Sequence, residues 1–511
     1  MSFVALMAAA ALASPVAKVE TGKLQGVTTE GVTAFKGIPY AAAPVGDLRW
    51  RAPKPAAAWP GTRDASKFGP DCVQGRMPGS PEPAPQSEDC LFANVWRPAT
   101  AKTRLPVMVW IHGGAFVNGG SSSPETWGDA MARRGLVFVT FNYRLGRFGF
   151  FAHPALSAES PDEATGDYGL MDQIAALGWV RRNIAAFGGD PGNVTVAGGS
   201  AGGISINLLM GASSARGLFD KAIIQSGAGR RFLTPERRLA QDLPGKPSAQ
   251  SVGVAFAKRL GVEGTDAAAL AALRALAADK IASNLSMATL VFQGEGALYS
   301  GPVIDGKLIV ETPEETFAHG RQPKMPVIVG ATSADLSLDF APNPEAAFAK
   351  FGPDAAAAKA AYEGKGRMSA LNAAIGGDRN MVEPARFVAR AVAAKGAPAY
   401  EYRFGYIAPA ALAGSPNGAN HSTEVAYVFD RLPAVYANVS AADQAVAQRL
   451  ADYWANFART GDPNGPGLPA WPRYDAKSDQ LMDIRPDGVF AGGADPWRAR
   501  LDVAERAATR P

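Results

Sequence analysis

One serine in this 511-residue chain lies in a segment that strongly restricts the local fold. Ser200 is the centre of Gly198–Gly202, a Gly-Gly-Ser-Ala-Gly segment that directly follows the strand-like run Asn193–Val196. The glycines on both sides allow a tight turn from a strand into a helix, because larger side chains would clash there. The apolar segment Gly203–Met210 can continue as that helix. The pattern therefore predicts a strand, a sharp turn and a helix, with the Ser200 hydroxyl exposed above the sheet.

Short apolar runs that recur along the chain predict a largely parallel sheet. They are continuous rather than alternating, as expected of strands that are buried on both faces. They are Val107–Ile111, Leu136–Phe141, Asn193–Val196, Ala222–Ile224 and Val327–Val329. Two further segments, at about residues 231–290 and 340–395, are alanine-rich with little strand signal and predict helical insertions over the sheet. The predicted fold class is α/β, with a large, mostly parallel central sheet flanked by helices.

The composition narrows the class of function. Apolar residues make up 47% and charged residues 19% of the chain, which is typical of a compact globular protein rather than a disordered one. The net charge is only +4 and the basic residues are spread along the chain, so a nucleic-acid partner is not predicted. The four histidines lack the spacing of metal ligands, and there is no phosphate-binding P-loop. We therefore expect chemistry on a small molecule, with neither a metal nor another cofactor.

The N-terminal segment is typical of an export signal. Residues 3–12 are apolar, and the sequence Ala-Leu-Ala at residues 11–13 has the small-x-small form of a signal-peptidase site. We therefore expect residues 1–13 to be a signal peptide and the protein to be periplasmic or secreted. No other segment approaches the ~20 apolar residues of a membrane span. No low-complexity linker divides the remaining chain, so residues 14–511 are predicted to form a single domain.

The chain has two cysteines, Cys72 and Cys90. The segment between them is rich in Pro, Gly and Ser, as is common in a surface loop. An even number of cysteines is compatible with a disulfide in an oxidising compartment. Two unpaired buried thiols are the alternative.

A histidine that could activate Ser200 can be selected by its position in the chain. A serine hydroxyl is a poor nucleophile unless an imidazole removes its proton and a carboxylate orients that imidazole. In α/β enzymes with this turn the order is Ser, then Asp or Glu, then His, which excludes His112 and His153. His319 lies on the approach to a predicted strand, whereas His421 lies in a loop that enters a helix. His421 is therefore the predicted general base.

The carboxylate is expected on a loop that leaves a strand between Ser200 and His421. Such a loop follows the predicted strand Val327–Val329 and contains Asp335. Asp335 is the predicted acid, and Asp339 is the alternative. Either side chain could instead be a stabilising charge at a helix N-terminus.

The segment Ile111–Phe116 directly follows a predicted strand and contains the sequence His-Gly-Gly-Ala. Acyl-transfer chemistry needs backbone N–H groups that stabilise a developing oxyanion. A glycine-rich loop after a strand supplies such donors in lipases and esterases, together with the N–H of the residue after the nucleophile. That residue is Ala201.

Further motifs are spread over nearly the whole chain. They are Phe35–Ala41, Ser87–Leu91, Asn142–Arg144, Asp172–Gln173, Phe187–Pro191, Gln225–Gly227, Pro302–Gly306, Thr460–Asn464 and Trp471–Pro472. With the Ser200 segment, they resemble the type-B carboxylesterase family of the α/β-hydrolase superfamily, which includes cholinesterases and bacterial para-nitrobenzyl esterases. The resemblance implies an α/β-hydrolase fold and a serine carboxylic-ester hydrolase that acts on small-molecule esters through an acyl-enzyme.

The resemblance also implies roles for individual residues. Ser200 would be the nucleophile and His421 the general base, and Ser226 would support the acid. The oxyanion donors would be the N–H groups of Gly114, Ala115 and Ala201. The implied structural pairs are the disulfide Cys72–Cys90 and the ion pairs Arg49–Glu88 and Arg144–Asp172.

Two departures from the family pattern concern the acid and the substrate. The family usually has Asp-Glu-Gly at the acid site, where this chain has Ala-Asp-Leu around Asp335. The family usually has Glu before the nucleophile, where this chain has Gly199, and the loop Val73–Asp89 contains no aromatic residue. The resemblance implies that cholinesterases attract a cationic choline ester through an aromatic residue in this loop and through the carboxylate before the nucleophile. Both features are missing here, so neutral esters are the predicted substrates. Trp127 and Tyr427 are the alternative aromatic sites for a cation.

Two other classes of function remain open at this point. An amidase or acyltransferase could use the same three side chains, because the difference lies in the pocket and in protonation of the leaving group. A binding protein that has lost catalysis is the second alternative, which the presence of Ser200 and His421 disfavours. The sequence makes no prediction about the oligomeric state.

Overall fold

The computed structural model describes residues 14–75, 84–101, 104–230, 236–287, 289, 298–299 and 301–510. The predicted signal peptide, residues 1–13, lies outside these described residues. Among the helices in the described part of the chain, none has the length and apolar character needed to cross a membrane.

The centre of the fold is an eleven-stranded sheet with the strand order β16-β15-β14-β13-β12-β11-β9-β10-β8-β4-β3. Between β15 and β10 in this order, every pair of adjacent strands is parallel. The pairs outside this central part are antiparallel. The strands are β1 (Val16–Val19), β2 (Gly22–Gln25), β3 (Val27–Thr29), β4 (Val32–Pro39), β5 (Thr62–Asp64), β6 (Asp71–Cys72), β7 (Gln86–Ser87), β8 (Phe92–Pro98), β9 (Leu105–Ile111), β10 (Val137–Phe141), β11 (Gly189–Gly199), β12 (Lys221–Gln225), β13 (Val327–Thr332), β14 (Ala399–Phe404), β15 (Gln480–Ile484) and β16 (Phe490–Ala494).

The five apolar runs identified in the sequence are the strands β9 to β13, which confirms the predicted mostly parallel sheet. The parallel strand β14 was not predicted. It carries Glu401 and Arg403, which interrupt the apolar run, and both side chains are buried. Arg403 is paired with Asp495 at 2.7 Å, so a partner that is distant in sequence makes burial of its charge tolerable.

Helices cover both faces of the sheet. They are α1 (Asp129–Arg133), α2 (Gly146–Gly149), α3 (Pro154–Glu159), α4 (Tyr168–Asn183), α5 (Ala201–Gly211), α6 (Ala249–Arg259), α7 (Ala267–Ala275), α8 (Ala278–Ala282), α9 (Pro313–Ala318), α10 (Pro344–Ala349), α11 (Ala355–Ala361), α12 (Met368–Gly377), α13 (Glu383–Ala394), α14 (Val425–Val428), α15 (Ala441–Thr460) and α16 (Arg498–Ala508). Helices α6–α8 and α10–α13 occupy the two alanine-rich segments, which are helical as predicted.

The core forms because successive residues of each central strand face opposite sides of the sheet. On β9, Val107 and Val109 contact a cluster that includes residues of α4, α5 and α13. Met108 and Trp110 contact the opposite cluster, which includes residues of α15. Because β9 and β11–β13 are parallel, their carboxyl ends meet at one edge of the sheet, where ligands bind in folds of this class.

Candidate active site

Ser200 lies in a strained turn between β11 and α5, with φ of 55° and ψ of −122°. A side chain at Gly198 would lie 2.6 Å from the backbone of Gly202, and a side chain at Gly202 would overlap the carbonyl oxygen of Ile111. The turn is also fixed by a 2.9 Å hydrogen bond that the Ser200 N–H donates to the Gln225 carbonyl. These contacts explain why glycine surrounds the serine and why its hydroxyl projects from the sheet edge.

Three side chains that were selected from the sequence form one chain of hydrogen bonds. The Oγ of Ser200 lies 2.9 Å from Nε2 of His421. The Nδ1 of the same imidazole lies 2.5 Å from Oδ1 of Asp335. An ionised carboxylate only accepts hydrogen bonds, so Nδ1 carries the proton and Nε2 is free to accept one from the hydroxyl. This is the arrangement that activates a serine for nucleophilic attack.

Asp335 is buried and held by several donors. Its Oδ2 accepts hydrogen bonds from Oγ of Ser226 at 2.6 Å, from N of Thr332 at 2.8 Å and from Oγ1 of Thr332 at 2.9 Å. Burial by itself raises the pKa of this carboxyl group, but the charge of His421 and the hydrogen bonds lower the pKa to about 2. Asp335 is therefore ionised and oriented toward the imidazole.

The residues that the sequence offered as alternatives have other partners. Asp339 forms ion pairs with Lys350 and, at 3.8 Å, with Arg379. His319 lies at the C-terminal end of α9, with its Nδ1 2.7 Å from Nη2 of Arg321. Neither side chain belongs to the hydrogen-bonded chain that contains Ser200.

Tertiary contacts bring the His421 loop to the acid loop. The N–H of Ala334 donates to the carbonyl of Ala419 at 2.9 Å, and the N–H of Ala419 donates to Oγ of Ser333 at 3.0 Å. The His421 side chain is 20% exposed, so a substrate can approach it. Burial lowers the pKa of His421, but the charge of Asp335 and its hydrogen bond outweigh this effect and raise the pKa above its ordinary value.

Glu424 is a buried residue of this site that was not identified from the sequence. It is fully buried, and its Oε1 accepts hydrogen bonds from Tyr402 at 3.2 Å and from Gln225 at 3.4 Å. Its Oε2 has no hydrogen-bond partner among the described residues. Burial and the nearby charge of Asp335 raise the pKa of Glu424 to about 7. The available signal was an acidic residue at the start of the apolar run Val425–Phe429.

The glycine-rich loop after β9 lies against the Ser200 turn. A side chain at Gly113 would be 2.8 Å from the carbonyl oxygen of Gly199. The carbonyl of Gly114 accepts hydrogen bonds from Val117 N at 3.0 Å and Asn118 N at 2.9 Å. Within the described ranges of the chain, the backbone N–H groups of Gly114, Ala115 and Ala201 donate to no protein acceptor. These N–H groups are thus available to a ligand.

The pairs that the resemblance implied are also present. A disulfide joins Cys72 to Cys90. Arg49 forms a two-point ion pair with Glu88, at 2.7 Å and 2.5 Å. Arg144 and Asp172 form a second such pair, at 2.8 Å and 2.7 Å. In the part of the chain that the structure describes, no group of three or more His, Cys, Asp or Glu side chains is arranged to hold a metal ion.

The chain is similar to known proteins over most of its length. The sequence model of the Carboxylesterase family matches residues 13–353 and 357–495. The chain is 36% identical to a para-nitrobenzyl esterase of Bacillus subtilis, with 90% of this chain and 93% of that protein covered. It is 34% identical to a fumonisin B1 esterase of Sphingopyxis macrogoltabida, with 90% of this chain and 84% of that protein covered. A solved PNB esterase structure superimposes with a TM-score of 0.80 at 34% identity, covering 95% of this chain and 99% of that one.

The family match extends over most of the chain, and the relatives cover nearly the whole of it. The solved relative shares the same large sheet with flanking helices. This chain therefore belongs to the carboxylesterase family, with the α/β-hydrolase fold, and is an ester-hydrolysing enzyme.

Proposed function

We propose that this enzyme hydrolyses neutral carboxylic esters through an acyl-enzyme on Ser200, with His421 as general base and Asp335 as the acid that orients it. The observation that carries the proposal is the continuous hydrogen-bonded chain from Asp335 through His421 to Ser200, with distances of 2.5 Å and 2.9 Å. Ser226 is the positioning residue for Asp335, to which its hydroxyl donates at 2.6 Å.

The mechanism follows from this geometry. Ser200 Oγ attacks the ester carbonyl carbon while its proton passes to Nε2 of His421. The oxyanion of the tetrahedral intermediate accepts hydrogen bonds from the N–H groups of Gly114, Ala115 and Ala201. The intermediate collapses, and the alcohol leaves with the proton from His421. Water then attacks the acyl-enzyme by the same route and releases the carboxylic acid and free Ser200.

The surroundings of the site support neutral rather than cationic esters. A side chain at Gly199 would face the Trp110 ring at 3.2 Å, so this position provides apolar surroundings and no carboxylate. The Trp127 ring already has Nζ of Lys36 at 4.9 Å and the guanidinium of Arg431 at 5.2 Å. Tyr427 is fully buried. Neither aromatic ring offers a free face to a choline group.

We also propose that the protein is exported and is periplasmic or secreted. The apolar N-terminal segment supports export with cleavage after residue 13, and the Cys72–Cys90 disulfide supports an oxidising compartment. The proposed mature unit is a single domain from residue 14 onward. The match of one family model from residue 13 to residue 495 supports a single domain.

A hydrolysis panel with matched esters tests the proposal. Acetylcholine and 3,3-dimethylbutyl acetate have the same shape but differ in charge, and we expect a higher kcat/KM for the neutral ester. Ser200→Ala is expected to abolish hydrolysis and organophosphate labelling, whereas Ser213→Ala, an exposed serine beyond α5, retains both. A label on another serine would contradict the nucleophile, and a preference for acetylcholine would contradict the substrate class.

A further inference from the structure

We infer that Gln74 is a positioning residue for the proposed oxyanion donors, which it holds from the loop closed by the Cys72–Cys90 disulfide. Gln74 lies two residues after Cys72, and its side-chain amide bonds to both backbone groups of Gly119. Its Nε2 donates to the Gly119 carbonyl at 2.8 Å, and its Oε1 accepts from the Gly119 N–H at 2.9 Å. The inference rests on the proposed function, because it assigns a role in stabilising the oxyanion.

Gln74 is itself firmly held. Its Nε2 also donates to the Cys72 carbonyl at 3.1 Å, and its backbone N–H donates to Oε1 of Gln86 at 3.2 Å. A parallel contact runs from Nδ2 of Asn118 to the Gly75 carbonyl at 2.8 Å. The disulfide loop and the glycine-rich loop are thus connected by several hydrogen bonds, which hold Gly119 through both of its backbone groups and so fix the Asn118–Gly119 peptide unit.

That peptide unit lies directly on the proposed oxyanion loop. A side chain at Gly114 would overlap the carbonyl of Asn118, so this carbonyl fixes how close the chain can come to Gly114. A side chain at Gly119 would lie 2.5 Å from Nδ1 of His112 and 2.7 Å from the carbonyl oxygen of Gly113. Gly119 therefore packs against the point where His112 meets Gly113.

The contact between His112 and Gly113 sets the direction of the Gly114 N–H. The Nδ1 of His112 lies 2.9 Å from the Gly113 carbonyl oxygen, which can only accept, so Nδ1 is the donor. The carbonyl of Gly113 and the N–H of Gly114 belong to one trans peptide and point in opposite directions. The hydrogen bond to His112 fixes the Gly113 carbonyl and therefore directs the Gly114 N–H away from His112. Gly119, which Gln74 holds, packs against His112 and keeps the imidazole in place.

Two substitutions at Gln74 test this role, since the side chain is only partly buried and lies on a loop. Gln74→Met keeps the length and removes both hydrogen bonds to Gly119. Gln74→Glu keeps the acceptor but sets a carboxylate oxygen against the Gly119 carbonyl. We expect kcat to fall by about tenfold or more in both variants with KM little changed, because a displaced oxyanion donor costs up to ~10²–10³ in kcat. Gln86→Glu is the matched control, since it adds the same charge to the same loop and still accepts from Gln74.

A second measurement separates positioning from general loss of structure. An aryl trifluoromethyl ketone forms a tetrahedral adduct with the serine, whereas the corresponding amide does not. We expect the Gln74 variants to lose affinity for the ketone in proportion to kcat and to keep affinity for the amide, with melting temperatures close to that of Gln86→Glu. Wild-type kcat or unchanged ketone affinity in Gln74→Met would overturn the inference while leaving the proposed function intact. Hydrolysis that survives in Ser200→Ala would instead overturn the proposed function.

Discussion

Replacing Asp335 by asparagine exchanges one carboxylate oxygen for an NH₂ group. The donors around Asp335 determine which of its two oxygen positions the NH₂ group takes. Oδ2 accepts from Ser226 and from two groups of Thr332. In Asp335→Asn, the amide oxygen has to take this position, since an NH₂ group there would face the Thr332 N–H. The amide nitrogen is then placed at the Oδ1 position, 2.5 Å from Nδ1 of His421 and 2.7 Å from the N–H of Leu336.

The amide nitrogen can only donate a hydrogen bond to His421, which moves the imidazole proton to Nε2. Nε2 then donates to Ser200 instead of accepting its proton, and the base is lost. The same change in the template serine triad lowers kcat by ~10⁴, equivalent to about 5.5 kcal/mol of transition-state stabilisation. The N–H of the half-buried Leu336 also loses its acceptor, which costs about 1 kcal/mol of folding free energy.

The measurement is kcat for a para-nitrophenyl ester, combined with a urea unfolding curve. Asp339→Asn is the control, because it removes a carboxylate four residues away that pairs with Lys350 and Arg379. We expect a loss of orders of magnitude in kcat for Asp335→Asn and less than a threefold loss for the control. A kcat within tenfold of wild type in Asp335→Asn, or a large loss in the control, would refute the assignment of the acid.

Further predictions concern the pH dependence that His421 imposes and the carboxyl groups of Glu424, Asp167 and Asp305. The imidazole of His421 must be neutral to act as a base, so kcat/KM is expected to fall as the pH drops through its pKa, which lies above 6.5. With a pKa of about 7, Glu424 is partly ionised near neutral pH, where its charge raises the pKa of His421. Glu424→Gln removes that charge, so the acidic limb of the pH profile should move to lower pH; a limb that stays in place would contradict this. Asp167 is fully buried with Oδ2 unpartnered among the described residues, and burial, followed by the charge of Asp305, raises its pKa well above 3.8. Because the folded state keeps a proton that the unfolded chain releases above about pH 4, this group destabilises the fold increasingly as the pH rises toward its folded pKa. Asp167→Asn should therefore be more stable than wild type in urea at pH 7, with a smaller difference at pH 4. Asp305→Ala should be less stable, because Asp305 accepts from three backbone N–H groups.

Much of the fold could be predicted because its central strands are recognisable one by one. The strands β9 to β13 are largely buried on both faces and appear in the sequence as short, mainly apolar runs, interrupted by Thr140 in β10 and Thr195 in β11. Strand β14 could not be recognised, since Arg403 is tolerated in its core only through Asp495, which lies far along the chain, and burial raises the pKa of the neighbouring Glu401 well above its ordinary value. The catalytic roles of Ser200, His421 and Asp335 stay predictions, although the structure brings their side chains into hydrogen-bonding distance.

The sequence by itself determined the turn at Ser200, because a side chain at Gly198 would meet the backbone of Gly202, only four residues away, and this restriction needs no distant partner. It favoured Asp335 as the acid but left Asp339 as the alternative, because both residues lie on the same loop. Only the contact between Ala334 and the His421 loop orients one of them toward the imidazole. The link from Gln74 to Gly119 spans 45 residues and was likewise decided by the tertiary structure. Local sterics depend on neighbours in the chain, whereas hydrogen-bond partners and the pKa values of buried groups depend on what packing brings beside them.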